Sequence, residues 1–297
     1  MLIHTMASYH IRDFEALSGI KAHTIRIWEQ RYGLLKPTRT DTNIRQYSDD
    51  ELLMLLNISL LNRNGFKISQ LAKMQRSEME EQVRIITSSN FEHVNQVDAL
   101  TMAMVELDEA AFDRIININI AQAGFESTME MVVFPFLQKI GIMWQTGSVN
   151  PAQEHFISNL VRQKLIAAID RLQLEKEKLI SKSLLFLPEG ELHELGLLFL
   201  NYLLRKNNHH VLYLGQNVPF RDIEKVVTLF RPNQLFSVFT SCPVPMQLSA
   251  YVSKLSKLLP KGRIYLSGNL LLRQKIKLPA NVELIREWAA IKSVISA

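Results

Sequence analysis

From residue 184 onward, short apolar runs alternate with longer amphipathic stretches, and this alternation constrains the fold more than any other feature of the chain. The runs are 184–187, 211–214, 235–239, 264–266 and 282–285; helical patterns such as 193–206, 220–230 and 245–258 separate them. An apolar run of four or five residues has the length of a strand buried on both faces. A helix-length stretch between successive runs is what a parallel crossover requires. The pattern predicts a parallel sheet with helices on both of its faces.

The remainder of the 297 residues has a different texture. Residues 80–172 read as helix throughout, with apolar side chains at three- and four-residue spacing in Leu100, Met104, Leu107, Ala111 and again in Ile115, Ile118, Ala121. Residues 9–74 carry shorter helical patterns punctuated by Gly and Pro. The run Glu175-Lys176-Glu177-Lys178 reads as a linker or as the solvated end of a helix. These shifts predict three domains: 1–78, 79–175 and 176–297. Cys242 is the only cysteine, which excludes an internal disulfide and a Cys-rich zinc site. The most apolar run, 52–61, is interrupted by Asn57 and too short to span a bilayer. The first residues lack the pattern of a signal peptide, so a cytoplasmic protein with no membrane partner is expected.

Phe14, Leu17, Ile20, Ile25 and Trp28 have the spacing of two short amphipathic helices joined at Gly19. The second, 22–31, carries His23, Thr24, Arg26, Gln30 and Arg31 on its polar side, types that bond base edges and phosphates. Gly33 and Pro37 then lead into a small hairpin bearing Arg39, Arg45 and Tyr47. Between Lys21 and Tyr47 six basic residues face two acidic ones, close to the whole chain's excess of +5. Such a stripe supplies the phosphate term of DNA affinity. With Tyr9-x-Ile11, Thr24-Ile25-Arg26-x-Trp28-Glu29, Arg31-Tyr32-Gly33-Leu34 and Arg45-x-Tyr47, residues 8–75 resemble the winged helix-turn-helix of the MerR family. The resemblance implies a double-stranded promoter DNA partner. It implies contact positions at Thr24, Arg26, Arg39, Arg45 and Tyr47, with Trp28 and Tyr32 supporting the domain's own core. Many MerR-type proteins continue into one long dimerising coiled coil. Gly65 interrupts here and no sustained heptad follows, so self-association as a dimer or tetramer is expected from the C-terminal part.

Two further motifs stand in order. Trp144 is followed, after nine residues, by Glu154-His155, and Glu191-x-His193-x-x-Gly196 follows the first apolar run. An imidazole is a natural nitrogen ligand, and a carboxylate two residues away can orient its other ring nitrogen. Gly196 leaves room for close approach by a bulky ligand. Each piece has an ordinary reading: Trp on a helix as core, Glu-His at a helix start as capping. His209-His210 reads as a helix-to-strand turn, and Met129 and Met131 as core.

Together with Leu203-x-Arg205 and Tyr213-Leu214-Gly215, the second motif resembles the cobalamin-binding domain of corrinoid proteins and of certain MerR-type regulators. The resemblance implies a flavodoxin-like, Rossmann-like sheet domain under a four-helix cap. It implies His193 as the axial ligand to cobalt. It further implies a nucleotide tail passing Thr240-Ser241 and Ser267-Gly268, although Asn269 stands where a second Gly is common. The cap of such regulators carries Trp, nine residues, then Glu-His around the upper ligand of adenosylcobalamin; Trp144, Glu154 and His155 match, with Gly141 and Gly147 nearby. Light-sensing members have His directly after this Trp; here Gln145 stands there. The expected function is a non-enzymatic transcriptional regulator, a repressor, controlled by bound cobalamin, with either light or cofactor abundance as the signal. The alternatives are a ligand-free regulator whose C-terminal domain oligomerises or binds a partner, and a corrinoid methyl carrier.

Overall fold

The computed structural model describes residues 9–89, 92–145, 149–173, 179–241, 248–274 and 276–295. The side chains of Ser88, Ser89, Gln145 and Ala289 also lie outside that description, as do Gly147, Cys242 and the charged run at 175–178. The chain forms two compact units, Met1–Leu160 and Val161–Ala297.

The first unit opens with α1 (Ile11–Ser18) and α2 (Ala22–Tyr32). Each stops at a left-handed glycine, Gly19 at φ 72° and Gly33 at φ 65°, a conformation that most side chains resist. The wing is β1 (Thr38–Arg39) paired antiparallel to β2 (Arg45–Gln46), and Tyr47 then exchanges backbone hydrogen bonds with Tyr9. Next come α3 (Asp49–Arg63), α4 (Ile68–Leu71) and α5 (Arg76–Ser89). A reciprocal cap starts α3: Glu51 N–H donates to Ser48 Oγ, and Ser48 N–H donates to the Glu51 carboxylate. Tyr9, Phe14, Ile25, Tyr47, Leu52 and Leu55 are fully buried.

The helical run expected at 80–172 is present but not continuous. It comprises the end of α5, then α6 (His93–Glu106), α7 (Glu109–Thr128), a π-helical turn (Met129–Val133), α8 (Phe134–Gln145) and α9 (Pro151–Asp170). The break in α7 falls at Gly124, at φ 80° and ψ 163°. The missing Cβ permits that turn. A polar chain runs inside the bundle: Asn119 Nδ2 donates to Gln96 Oε1 at 3.0 Å, and Gln96 Nε2 to Thr87 O at 3.0 Å. The division between the two units falls within α9.

The second unit is the α/β domain. Its elements are β3 (Lys182–Pro188), α10 (Leu195–Lys206), β4 (His210–Val218), α11 (Phe220–Phe230), β5 (Gln234–Val238), α12 (Leu248–Leu258), β6 (Arg263–Ser267), α13 (Asn269–Arg273), β7 (Val282–Leu284) and α14 (Trp288–Ile295). All five expected strands form, all pairs are parallel, and the order is β4-β3-β5-β6-β7. That is the flavodoxin-like arrangement, whose order reverses between the first and third strands. Every residue of β3 after Lys182 is buried, as its uninterrupted apolar run requires. Leu184, Phe186, Leu235, Ile264 and Leu266 pack with Ile223, Val252 and Leu255. No helix among the described residues is long and apolar enough to cross a membrane.

Candidate functional site

The chain leaves β3 at Pro188 and turns at Gly190, whose N–H donates to Asn217 Oδ1 at 2.8 Å. Glu191 follows, fully buried. Its Oε1 accepts from His193 Nδ1 at 2.6 Å and from the backbone N–H groups of Leu192 and His193, each at 3.1 Å. Its Oε2 accepts from the N–H of Thr240 at 2.6 Å and of Ser241 at 3.0 Å. Burial by itself raises the carboxyl pKa, but these hydrogen bonds outweigh it and hold Glu191 down to about 2. An ionised carboxylate only accepts, so Nδ1 of His193 carries a proton and donates it to Glu191. The imidazole side chain is 61% exposed.

The expected helix from 193 begins at Leu195 instead. The cause is the same carboxylate: it takes up the first N–H groups and holds Leu192 and His193 in a loop. Thr240 and Ser241 follow β5 as Glu191 follows β3, so the cluster lies at the carboxyl ends of adjacent strands where the strand order reverses. Open α/β sheets bind ligands at that crevice. Glu194, next to His193 in the chain and not assigned from sequence, is paired in turn. Glu194 Oε1 accepts from Arg162 Nε at 2.7 Å and its Oε2 from Tyr213 OH at 3.0 Å. Burial, then the nearby Glu194 charge, raises the Tyr213 pKa well above the ordinary phenol value. Tyr213 stands in the family-like motif, but its partner is visible only in three dimensions.

Gly196 lies in the first turn of α10, and a Cβ there would meet nothing within 4 Å. Gly268 is different. At φ 109°, an added Cβ would lie 2.2 Å from Phe239 O and 2.5 Å from Phe239 C. Phe239 N–H donates to Ser267 O at 2.8 Å, and Leu270 N–H donates to Phe239 O at 3.0 Å. The chain's own loops therefore require glycine at 268. Asn269 begins α13 rather than extending a glycine turn. His209 is buried, with Nε2 3.2 Å from Ile295 O, and His210 starts β4, in keeping with a turn.

Trp144 is the penultimate residue of α8 and is 53% exposed. Glu154 and His155 stand in the first turns of α9, with His155 Nδ1 2.8 Å from Glu154 Oε2. Ser158 Oγ donates to the other carboxylate oxygen at 2.5 Å. In the reader, α2 presents an exposed Arg26 and a half-buried Thr24, and β1 an exposed Arg39 that donates to Asn43 Oδ1 at 2.6 Å. Arg45 and Tyr47, expected as DNA contacts, both bond to Glu29 of α2. Arg45 Nε donates to both oxygens of Glu29 at 2.9 and 3.0 Å. The Tyr47 ring packs tilted by 32° against that of Phe14, with centroids 4.3 Å apart, and its hydroxyl donates to Glu29 at 3.4 Å. One carboxylate on α2 draws both side chains and holds the wing against that helix. Trp28 is buried as expected.

Comparison with known proteins agrees with this architecture. Residues 9–78 match the MerR HTH family of regulatory proteins, and residues 96–168, the helices ahead of the sheet, match the B12 binding domain family. The chain is 28% identical over 261 residues to the HTH-type transcriptional repressor CarH of Myxococcus xanthus, covering 86% of each. It is 26% identical over 243 residues to the repressor CarA of the same organism, covering 81% of this chain and 79% of that one. Its fold is similar to that of the monomethylamine corrinoid protein of Methanosarcina barkeri, with a TM-score of 0.50 and 14% identity over 65% of this chain and 92% of that chain. The chain thus joins a MerR-type helix-turn-helix to a B12-binding domain, with the repressors CarH and CarA as homologues over most of its length.

Proposed function

We propose that this protein is a DNA-binding transcriptional repressor whose hold on promoter DNA is set by a cobalamin ligated through His193. The observation that carries the reading is the fully buried, ionised Glu191, which accepts from Nδ1 of His193 and orients an exposed imidazole at the carboxyl edge of the sheet. That is the donor a cobalt centre takes, and an orienting carboxylate behind a ligating imidazole is the usual outer-shell partner. The open space at Gly196 and the exposed apolar Leu192 also fit a broad, flat ligand. A bound corrinoid supplies a metal with an exchangeable upper ligand, which we take to be 5′-deoxyadenosyl.

Residues 1–78 act as reader, 79–175 as cap and 176–297 as holder of the lower ligand. Trp144, Glu154 and His155 form the part of the cap that contacts the upper ligand. Thr24, Arg26 and Arg39 contact DNA, and self-association through the C-terminal part brings several readers to one promoter. The signal would be light or the supply of cofactor, either of which would change whether an intact cobalamin is held by these residues. A ligand-free regulator is the second reading. It is favoured by Gly268, whose glycine the chain's own Phe239 requires without any ligand.

The test is an absorbance spectrum after incubation with adenosylcobalamin in the dark and removal of free cofactor. The expected result is a retained, base-off, His-ligated corrinoid band that His193→Ala shifts or abolishes. A colourless wild-type protein after desalting would favour the second reading.

A further inference from the structure

The first unit contains a polar chain that the cofactor and DNA assignments leave unused. Asp98 on α6 is buried, 4% exposed, and accepts from two cations that belong to different helices. Lys139 of α8 donates Nζ to Oδ1 at 2.7 Å, and Arg63 at the end of α3 donates Nη2 to Oδ2. Arg63 also donates Nη1 to Ser59 Oγ at 3.0 Å, and Ser59 Oγ donates to Ser18 O at 3.0 Å. Ser18 is the last residue of α1, and its own Oγ accepts from Ile20 N–H at 3.2 Å across the turn at Gly19. The chain therefore runs unbroken from α8, the helix that carries Trp144, to the elbow that aims α2. Helix α8 also packs directly on α1.

The charge arrangement gives this chain two workable states. A buried carboxylate needs one cation, because an unpaired charge there is strongly unfavourable. Asp98 has two. Lys139 can therefore withdraw while Asp98 stays paired with Arg63, and the fold survives the change. What alters is how Arg63 divides itself between Asp98 and Ser59, and so how firmly the Ser18 carbonyl is held. A shared acid with a spare partner is suited to passing on a small displacement of α8, which an apolar contact of the same size would absorb.

We propose that Asp98 is the positioning residue through which the cap helix α8 acts on the DNA reader, using Lys139 on one side and the Arg63–Ser59–Ser18 chain on the other. The inference rests on the corrinoid reading for its signal, but the link itself can be tested apart from it.

The experiment is hydrogen exchange on the full-length protein, with and without adenosylcobalamin in the dark, reading the amides of residues 18–24. Lys139→Met keeps the aliphatic stem and the Asp98–Arg63 pair, and Lys139→Arg restores a cation. In wild type and Lys139→Arg, cofactor binding is expected to change exchange at these amides about fivefold or more, the lower end of ordinary coupling between sites. In Lys139→Met that change is lost, while corrinoid retention and Tm stay at the wild-type values. A Lys139→Met protein that responds like wild type would overturn the proposal, as would a wild type that retains corrinoid with no change at residues 18–24. If wild type retains no corrinoid, the functional reading fails separately. The link is then judged on cofactor-free protein: faster exchange at 18–24 in Lys139→Met, restored in Lys139→Arg, upholds it, and equal rates overturn it.

Discussion

A single carboxylate, Glu191, does more to shape the candidate site than His193, the proposed ligand beside it. It is fully buried and accepts five hydrogen bonds, three from its own loop and two from the loop after β5. Its pKa is about 2 in the folded protein against an ordinary 4.5, a depressed value. A depressed folded pKa contributes stability above the unfolded value, and that contribution fades as pH falls from about 4.5 toward 2. Glu191→Gln is therefore expected to cost roughly 2–4 kcal/mol near pH 7, as for other buried charged hydrogen-bond acceptors. The difference from wild type should shrink as pH falls below about 4.5. Denaturant midpoints of both proteins from pH 7 to pH 3 check this, and a difference that stays constant contradicts it. The Glu191–His193 pairing was legible because the two stand two positions apart in the chain. The anchoring by Thr240 and Ser241 was not, because backbone N–H groups some fifty positions away carry no side-chain signal. Gly268 was noticed for ligand approach, yet the close neighbour is Phe239 of the same chain.

Among the elements, the strands were legible because β3, β5 and β6 lie inside a parallel sheet and carry nearly continuous apolar runs, whereas the edge strand β4 runs on to Val218 through Gly215, the partly exposed Gln216 and the exposed Asn217. The helical region was legible in type but not in its interruptions; Gly124 marks the one inside α7. The wing was legible as a hairpin, but the direction of its side chains was not. Arg45 and Tyr47 have the residue types of DNA contacts, and only the position of Glu29 on α2 shows that they are engaged by that carboxylate. That distinction has a measurable consequence. Arg26→Ala removes an exposed cation, so it is expected to weaken promoter binding and flatten the slope of log affinity against log salt by about 0.9. Glu29→Gln removes no cation. It should weaken binding by releasing the wing, with the salt slope unchanged. Fluorescence anisotropy with a labelled duplex between 50 and 300 mM salt, roughly the range in which counterion release dominates, separates the two. Equal slope changes in both variants would place Arg45 on the phosphates after all.

For the molecule as a whole, the sequence suggested a boundary near residue 78, where composition and the MerR-type pattern end. The packing does not stop there: α3 packs on α5 and α6, α1 packs on α8, and the first compact unit runs to Leu160. Texture along a chain reports local periodicity, whereas a shared core depends on which faces meet. A truncated chain of residues 79–297 loses Arg63, leaves Asp98 with Lys139 alone and uncovers the face of α6 that α3 packs against. It is expected to unfold at a lower denaturant concentration than the full-length protein and to bind a hydrophobic dye. A fragment with the full-length midpoint and no dye binding would show that the helices stand without the reader.

The acid at position 98 also bears on how such a protein could be retargeted. A chimera that grafts a foreign reader onto these helices would inherit a carboxylate chosen to receive an arginine from the discarded part. Changing the operator while keeping the sensor is therefore better attempted by editing the polar face of α2, at Thr24 and Arg26, than by exchanging the module, because those two side chains can be altered without disturbing Arg63.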